Sequence, residues 1–314
     1  MKKTLLYLIV ACCFFVKANA QDDLLGDLVK DDAAKVKQNI TIATFKSTRI
    51  INLQSVEMTG KGNLEFMISH RFGNIWKDGK GWTNVSQLFG LNAGAANTYM
   101  SFDYSFTDYL NLGFAATGNA RYETWAKVRL LRQQTGQKNV PVTLTWFSLM
   151  NFDGSDGPSP DDFAGNRFSF LHQILVARKI NDKFSLQLTP SFIHYNIVPY
   201  GINNTNNIFS LALGGRYKLT NKTAISFEYS RQLNGYKKLL DESASSVNYV
   251  PDLFSLGYDW DTGGHIFQFF FTSSSSATNI SQLSTNTNEL RLGNFSLGFN
   301  LNRSYGIKKV VQSH

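Results

Sequence analysis

Thiols are almost missing from this chain. Its two cysteines, Cys12 and Cys13, fall inside an N-terminal stretch that reads as a targeting signal. The remainder is therefore expected to carry no disulfide, no thiolate metal site and no cysteine nucleophile. Long apolar runs are missing as well: beyond that stretch nothing approaches the roughly 20 apolar residues of a membrane-crossing helix. Charge is sparse, at 17% of residues, and the basic ones are scattered, so no nucleic-acid surface is expected. Catalytic signatures are also absent. There is no G-x-S-x-G, H-E-x-x-H or P-loop string. Ser169 with His172, and Ser191 with His194, have opposite strand alternation and so point apart. Asp153-Gly154-Ser155-Asp156-Gly157 resembles a fragment of a calcium loop but reads as an Asp/Gly turn. No enzyme activity, metal or cofactor is expected.

What is present begins with Lys2 and Lys3, an apolar run from Leu5 to Val16 and the triplet Ala18-Asn19-Ala20. That order is a secretory signal, expected to be cleaved after Ala20. Ile9-Val10-Ala11-Cys12 resembles a lipobox, but a cut there would fall inside the apolar core. Losing Lys2, Lys3 and Lys17 lowers the formal charge from +8 to +5. Residues 21–39 place Leu24, Leu25, Leu28 and Val29 at helical spacing among aspartates, which predicts a short amphipathic or acidic leader.

From Asn63 the period becomes two. Leu64, Phe66 and Ile68 alternate with Glu65, Met67 and Ser69, and the pattern recurs to Phe295, Leu297, Phe299 and Leu301. With 14% aromatics, alternation of this kind fits a membrane barrel or a soluble sandwich. Strands are expected at 63–73, 97–106, 109–117, 121–133, 140–151, 166–180, 183–196, 207–219, 223–233, 252–261, 264–273 and 291–303. Tight turns at Thr107-Asp108, Asn181-Asp182, Asn221-Lys222 and Thr262-Gly263 then share one side and the long polar connections the other, except that Gly118 to Ala120 is short for an outer loop and Gln134 to Asn139 long for an inner turn. That asymmetry favours the membrane barrel. Of six prolines, Pro158, Pro160, Pro199 and Pro251 fall in or beside connections, while Pro190 interrupts a strand and predicts a bulge.

Ala43-Thr44-Phe45-Lys46-Ser47-Thr48-Arg49, followed by Asn52, Ser55, Glu57 and His70-Arg71-Phe72-Gly73, carries a resemblance. So do Tyr104, Tyr122-Glu123 with Lys127, and Leu131 to Gln133 before Pro141. The chain resembles a Bacteroidota family of β-barrel proteins of unknown function, domain of unknown function family 5777. The resemblance implies an outer-membrane barrel and gives no substrate. The tail Lys308 to His314, beyond the last aromatic Tyr305, departs from the usual barrel ending.

The expected fold is all-β: a closed antiparallel up-and-down transmembrane barrel of twelve strands, with fourteen as the next count. Its first strand should close beside its last. The expected layout is signal 1–20, leader and plug segment 21–60, barrel 61–307 and tail 308–314. Alternation assigns Glu65, Arg71, Asp103, Glu123, Lys127, Arg129, Arg167, Arg216, Lys218 and Glu228 to the lumen. Lys46 and Arg49 are assigned to a plug or inner wall. Charged rows in so narrow a barrel are expected to pair and partly occlude it. His70 should face the outer interface as an anchor.

Three functions follow in order. The first is a narrow pore or transport accessory for a small polar solute. The second is a non-conducting scaffold whose leader docks a periplasmic partner. A remote third is a membrane-embedded lipid hydrolase. The expected surroundings are outer-membrane lipid of a Gram-negative bacterium. Arg at Leu297 should be costly if that site lies near the bilayer midplane, and Arg at the lumenal Ser296 far cheaper.

Overall fold

The computed structural model describes residues 38–76, 97–155, 167–197, 205–234, 238–240, 246–248, 252–286 and 294–307. The expected signal, most of the expected leader and the tail after Ile307 lie outside them. Twelve strands form a closed antiparallel barrel. They are β1 (Asn63–Trp76), β2 (Asn97–Ser105), β3 (Leu110–Thr117), β4 (Arg121–Leu131), β5 (Thr143–Asp153) and β6 (Phe168–Lys179). The circuit continues through β7 (Phe184–Tyr195), β8 (Asn207–Lys218), β9 (Thr223–Asn234), β10 (Leu253–Asp261), β11 (Ile266–Thr272) and β12 (Phe295–Gly306). Each strand pairs with its neighbours in sequence, and β12 pairs with β1. Closure leaves no unpaired strand edge, which is the condition for strands in hydrocarbon.

The period of two sorts the side chains. Leu64, Phe66 and Ile68 stand outside while Glu65, Met67 and Ser69 are buried inside, and Phe299 and Leu301 alternate in the same way with Asn300 and Asn302. The outer surface is greasy: Phe102, Phe114, Trp146, Leu213, Tyr258 and Phe269 are all exposed. His70 faces outward too. Its Nδ1 meets Thr98 Oγ1 at 3.1 Å, and its ring stacks on Phe299 at 5.7 Å.

The four tight turns lie at one end, each closed by a backbone hydrogen bond such as Leu219 N to Thr223 O at 2.9 Å. The link from β4 to β5 is longer because it folds on itself: Gln134 bridges Val140, and Gln134–Thr135 pairs with Asn39–Ile40. Two expectations are corrected. Pro190 makes no bulge, because the β6–β7 ladder omits the rungs beside it but keeps one register from Gln173↔Ser191 to Val176↔Leu188. The bulges fall instead at Arg129/Leu131, Phe209/Ser210 and the start of β12. Nor is Ser296 an open lumenal site: it faces inward, is fully buried and donates to Asn74 Oδ1 at 2.8 Å. An Arg there has no room.

Candidate functional site

Side chains alone fill a barrel of about eight strands. Twelve leave a space, and among the described residues two other segments occupy it. The first, residues 43–59, rises from the β1 end as a narrow hairpin. Arg49 bridges Gln54, Ser55 N donates to Thr48 O at 2.9 Å, and Ile50 N donates to Leu53 O at 2.9 Å, so the tip is Ile50-Ile51-Asn52-Leu53. The second is α1 (Asn279–Ser284), within the connection from β11 to β12. Thr278 caps it by accepting from Ser281 N, and all six of its residues are buried.

The wall grips the hairpin by its backbone. Glu228 accepts from the amides of Ile51 at 2.7 Å, Asn52 at 2.9 Å and Leu53 at 2.8 Å. Three converging N–H groups form a concave anion cradle, here closed on a carboxylate of the same chain. On the other side Lys127 Nζ donates to the carbonyls of Thr48 at 2.8 Å, Ser55 at 3.2 Å and Glu57 at 3.4 Å. Amides complete the hold: Gln268 reaches Ile50 O at 2.6 Å, Asn300 reaches Ile51 O at 2.8 Å, and Gln187 reaches Gln54 O at 2.7 Å. Asn302 bonds Ser47 Oγ, and Thr48 Oγ1 donates to Glu65 at 2.6 Å.

Glycine makes room for the tip. A Cβ on Gly214 would sit 2.4 Å from Ile50 Cδ1, and one on Gly257 would sit 3.0 Å from Ile51 Cδ1. Both isoleucines are buried against positions where a side chain would collide.

Hairpin and helix are joined. Arg49 Nη1 donates to Asn279 Oδ1 at 3.1 Å, and Gln54 Nε2 donates to the same oxygen at 3.1 Å. Arg49 Nη2 donates to Tyr99 Oη at 2.6 Å, and Tyr99 in turn donates to Glu123 at 2.9 Å. Glu123 also accepts from Asn279 N at 2.9 Å and Nδ2 at 2.6 Å. Arg71 donates twice to Asn52 Oδ1, at 3.0 and 2.7 Å. The apolar side of α1, Ile280 and Leu283, joins the core formed with Leu149, Leu171, Ile193 and Ile208 of the wall.

The sequence-assigned lumenal residues divide by depth. Glu65, Arg71, Asp103, Glu123, Lys127 and Glu228 are buried inside. Asp103 accepts from Trp125 Nε1 at 2.9 Å. Arg129 bonds Asp108 O and Val56 O near the turn end, and Arg216 Nε lies 3.6 Å from Asp259. Lys218 is half-buried at that end. Arg167 precedes β6 and binds Ser155 O at 2.7 Å at the opposite rim, so it is a loop residue rather than a wall residue. Lys46 pairs with Asp261 at 2.6 Å, and Arg49 is at the hairpin's centre. Cross-strand ion pairing is therefore the minor arrangement: most buried charges bond to the hairpin and helix. Sequence reasoning missed α1, the inward Phe147 and Phe270, and the outer pair Ser148 Oγ and His172 Nδ1 at 3.0 Å. Strand register alone would have found that pair. Of the string at 153–157, Asp156 and Gly157 lie outside the described residues; Asp153 ends β5, accepts from Ser155 and pairs with Arg121 at 3.3 Å.

The model of one protein family, described as a membrane bound beta barrel domain (DUF5777), matches residues 45–305. No curated protein matches the chain. Among solved structures, the NanC porin is 6% identical with a TM-score of 0.47, covering 77% of this chain and 98% of its own. The COG4313 outer membrane channel from Pseudomonas putida F1 is 12% identical with a TM-score of 0.46, covering 78% and 96%. The KdgM porin is 7% identical with a TM-score of 0.43, covering 77% and 98%.

Proposed function

The chain belongs to the DUF5777 family of membrane-bound β-barrel domains, and from that premise we propose that it is a gated pore or transport accessory for a small polar solute. Its place is the outer membrane of a Gram-negative bacterium, after cleavage near Ala20. In the conformation described here the hairpin and α1 hold the lumen shut. The observation that carries this reading is the chemistry of the hold. Beside the packing of its apolar side chains, the hairpin is held through its backbone by hydrogen bonds with polar wall groups, such as the three amides that donate to Glu228. Water can replace each of those bonds, so the wall groups that grip the hairpin, Glu228, Lys127, Gln187, Gln268 and Asn300, stay wettable when it withdraws. The protein is read as non-enzymatic. Ser148 and His172 face lipid between Trp146 and Phe192 rings, and a hydrolase would need a third, orienting group.

Planar bilayers test the pore. The native chain should be nearly silent, and a variant lacking residues 44–57 should give discrete conductance steps. A folded deletion variant that stays sealed across voltages and salts would count against the reading.

The filled lumen also favours the second reading, a non-conducting scaffold whose leader docks a periplasmic partner. Removing residues 22–36 should then abolish co-purification of that partner without unfolding the barrel. Unchanged co-purification removes this reading.

A further inference from the structure

The lumenal wall from β5 to β9 carries a row without charge. Register sets Phe147 beside Gln173, Gln173 beside Ser191, Ser191 beside Ser210, and Ser210 beside Gln232, one residue from each of five adjacent strands. All five are buried. Some of their polar atoms are used. Gln173 Nε2 donates to Ser191 Oγ at 2.9 Å, and Gln232 Nε2 donates to the carbonyls of Leu283 at 2.9 Å and Ser284 at 2.8 Å in α1. Others are not. Gln173 Oε1, Ser210 Oγ and Gln232 Oε1 have no hydrogen-bond partner among the described residues, nor do Thr145 Oγ1 and Ser230 Oγ two residues along β5 and β9. Buried polar atoms are paired as a rule; others stand unpaired elsewhere on the wall, at Ser101, Asn111, Asn151, Asn300 and Asn302, and the five here adjoin one uncharged row.

The surroundings say what kind of partner is missing. One step toward the outer mouth lies the apolar row Leu149, Leu171, Ile193 and Ile208, which shares a core with Ile280 and Leu283 of α1. The helix therefore roofs the polar row from outside. The neighbouring ions are already engaged: Lys127, 6.0 Å from the Phe147 ring, is held by hairpin carbonyls, and Glu228 by hairpin amides.

We infer that this row is a binding site for a neutral, hydroxyl-rich solute of the sugar-alcohol or carbohydrate class, reached when α1 lifts. Hydroxyls and amides both donate and accept, as the hydroxyls of such a solute do. The Phe147 ring offers an apolar surface to its C–H face. An ionic solute would leave its charge buried without a free counter-ion, which is costly. The site deepens the pore reading above, on which its transport role rests, by naming the solute class.

Saturation-transfer NMR on detergent-folded protein tests binding independently of conductance, with sorbitol and xylitol as neutral probes and glucuronate as the charged one. It is run on the native chain and on Asn279→Ala, which removes the side-chain bonds of α1 to Glu123, Arg49 and Gln54 and leaves only its backbone N–H on Glu123. The neutral probes should bind, more strongly to Asn279→Ala, and Gln173→Leu with Ser210→Ala in that background should weaken binding at least tenfold while the barrel keeps its heat-modifiable gel mobility. Binding of glucuronate equal to sorbitol, unchanged binding in the double variant, or no binding in either background overturns the inference. In bilayers sorbitol should block the salt current of Asn279→Ala. Binding without any current keeps the site and refutes the pore; current without binding refutes the site and leaves the pore standing.

Discussion

Glu228→Ala should open the barrel without dissolving it. The carboxylate accepts three amides of the hairpin tip at 2.7 to 2.9 Å, in a place with no exposure to solvent. Removing it strands three buried N–H groups, each costing about 1–3 kcal/mol. Water drawn into the gap recovers part of that, so the closed state should lose about 3–5 kcal/mol. The open state, whose amides are hydrated with or without Glu228, loses little. At about 1.4 kcal/mol per factor of ten, closed-to-open ratios fall roughly a hundred- to several-thousand-fold. Single-channel recording reads this as open probability, and Glu228→Gln, which retains one acceptor oxygen, should fall between. The barrel should remain resistant to unfolding in detergent, because the β8–β9 and β9–β10 ladders do not involve the carboxylate. Native-like silence from a folded Glu228→Ala protein would refute the claim that these bonds hold the gate.

Other perturbations separate the parts. Gly214→Ala places a methyl against Ile50 Cδ1 and should favour opening by about 1–3 kcal/mol; adding Ile50→Val, which removes that atom, should recover closure, so a double variant as leaky as the single one would contradict the fit. Leu301→Arg, on the lipid face near the middle of β12 opposite Ile68, should destabilise folding into bilayers by about 2–4 kcal/mol. Leu297→Arg, near the end of that strand, should cost less, and equal costs would argue against the assigned membrane position. Lys127→Met should loosen the hairpin and raise open probability, since three backbone carbonyls lose their shared donor; unchanged gating would make Lys127 a bystander.

The barrel was legible because its signals are local. Alternation such as Phe184, Leu186 and Leu188 against Ser185, Gln187 and Thr189 fixes both the strand and its faces, and turns of four residues fix the order. The position of Glu228 and Lys127 inside followed from the same parity. Their partners did not, because hydrogen bonds to backbone 70 to 177 residues away leave no periodic trace. The helix Asn279–Ser284 was invisible for a related reason: its sequence is polar and it is only six residues long, so it reads as loop until a surrounding wall supplies Leu149, Leu171 and Gln232. Pro190 misled because a proline with its missing donor is tolerated here by omitted rungs instead of an extra residue.

The central claim is that the hairpin is a movable closure rather than fixed filling. Residues 21–314 contain no cysteine, so a pair can be introduced cleanly. Ser47 and Asn302 touch side chain to side chain across the hairpin and β12. In the Glu228→Ala background, Ser47→Cys with Asn302→Cys should be silent when oxidised and should conduct in discrete steps once reductant is added, reversibly. Equal conductance in the oxidised and reduced states, with the disulfide confirmed by mass spectrometry, would contradict the account.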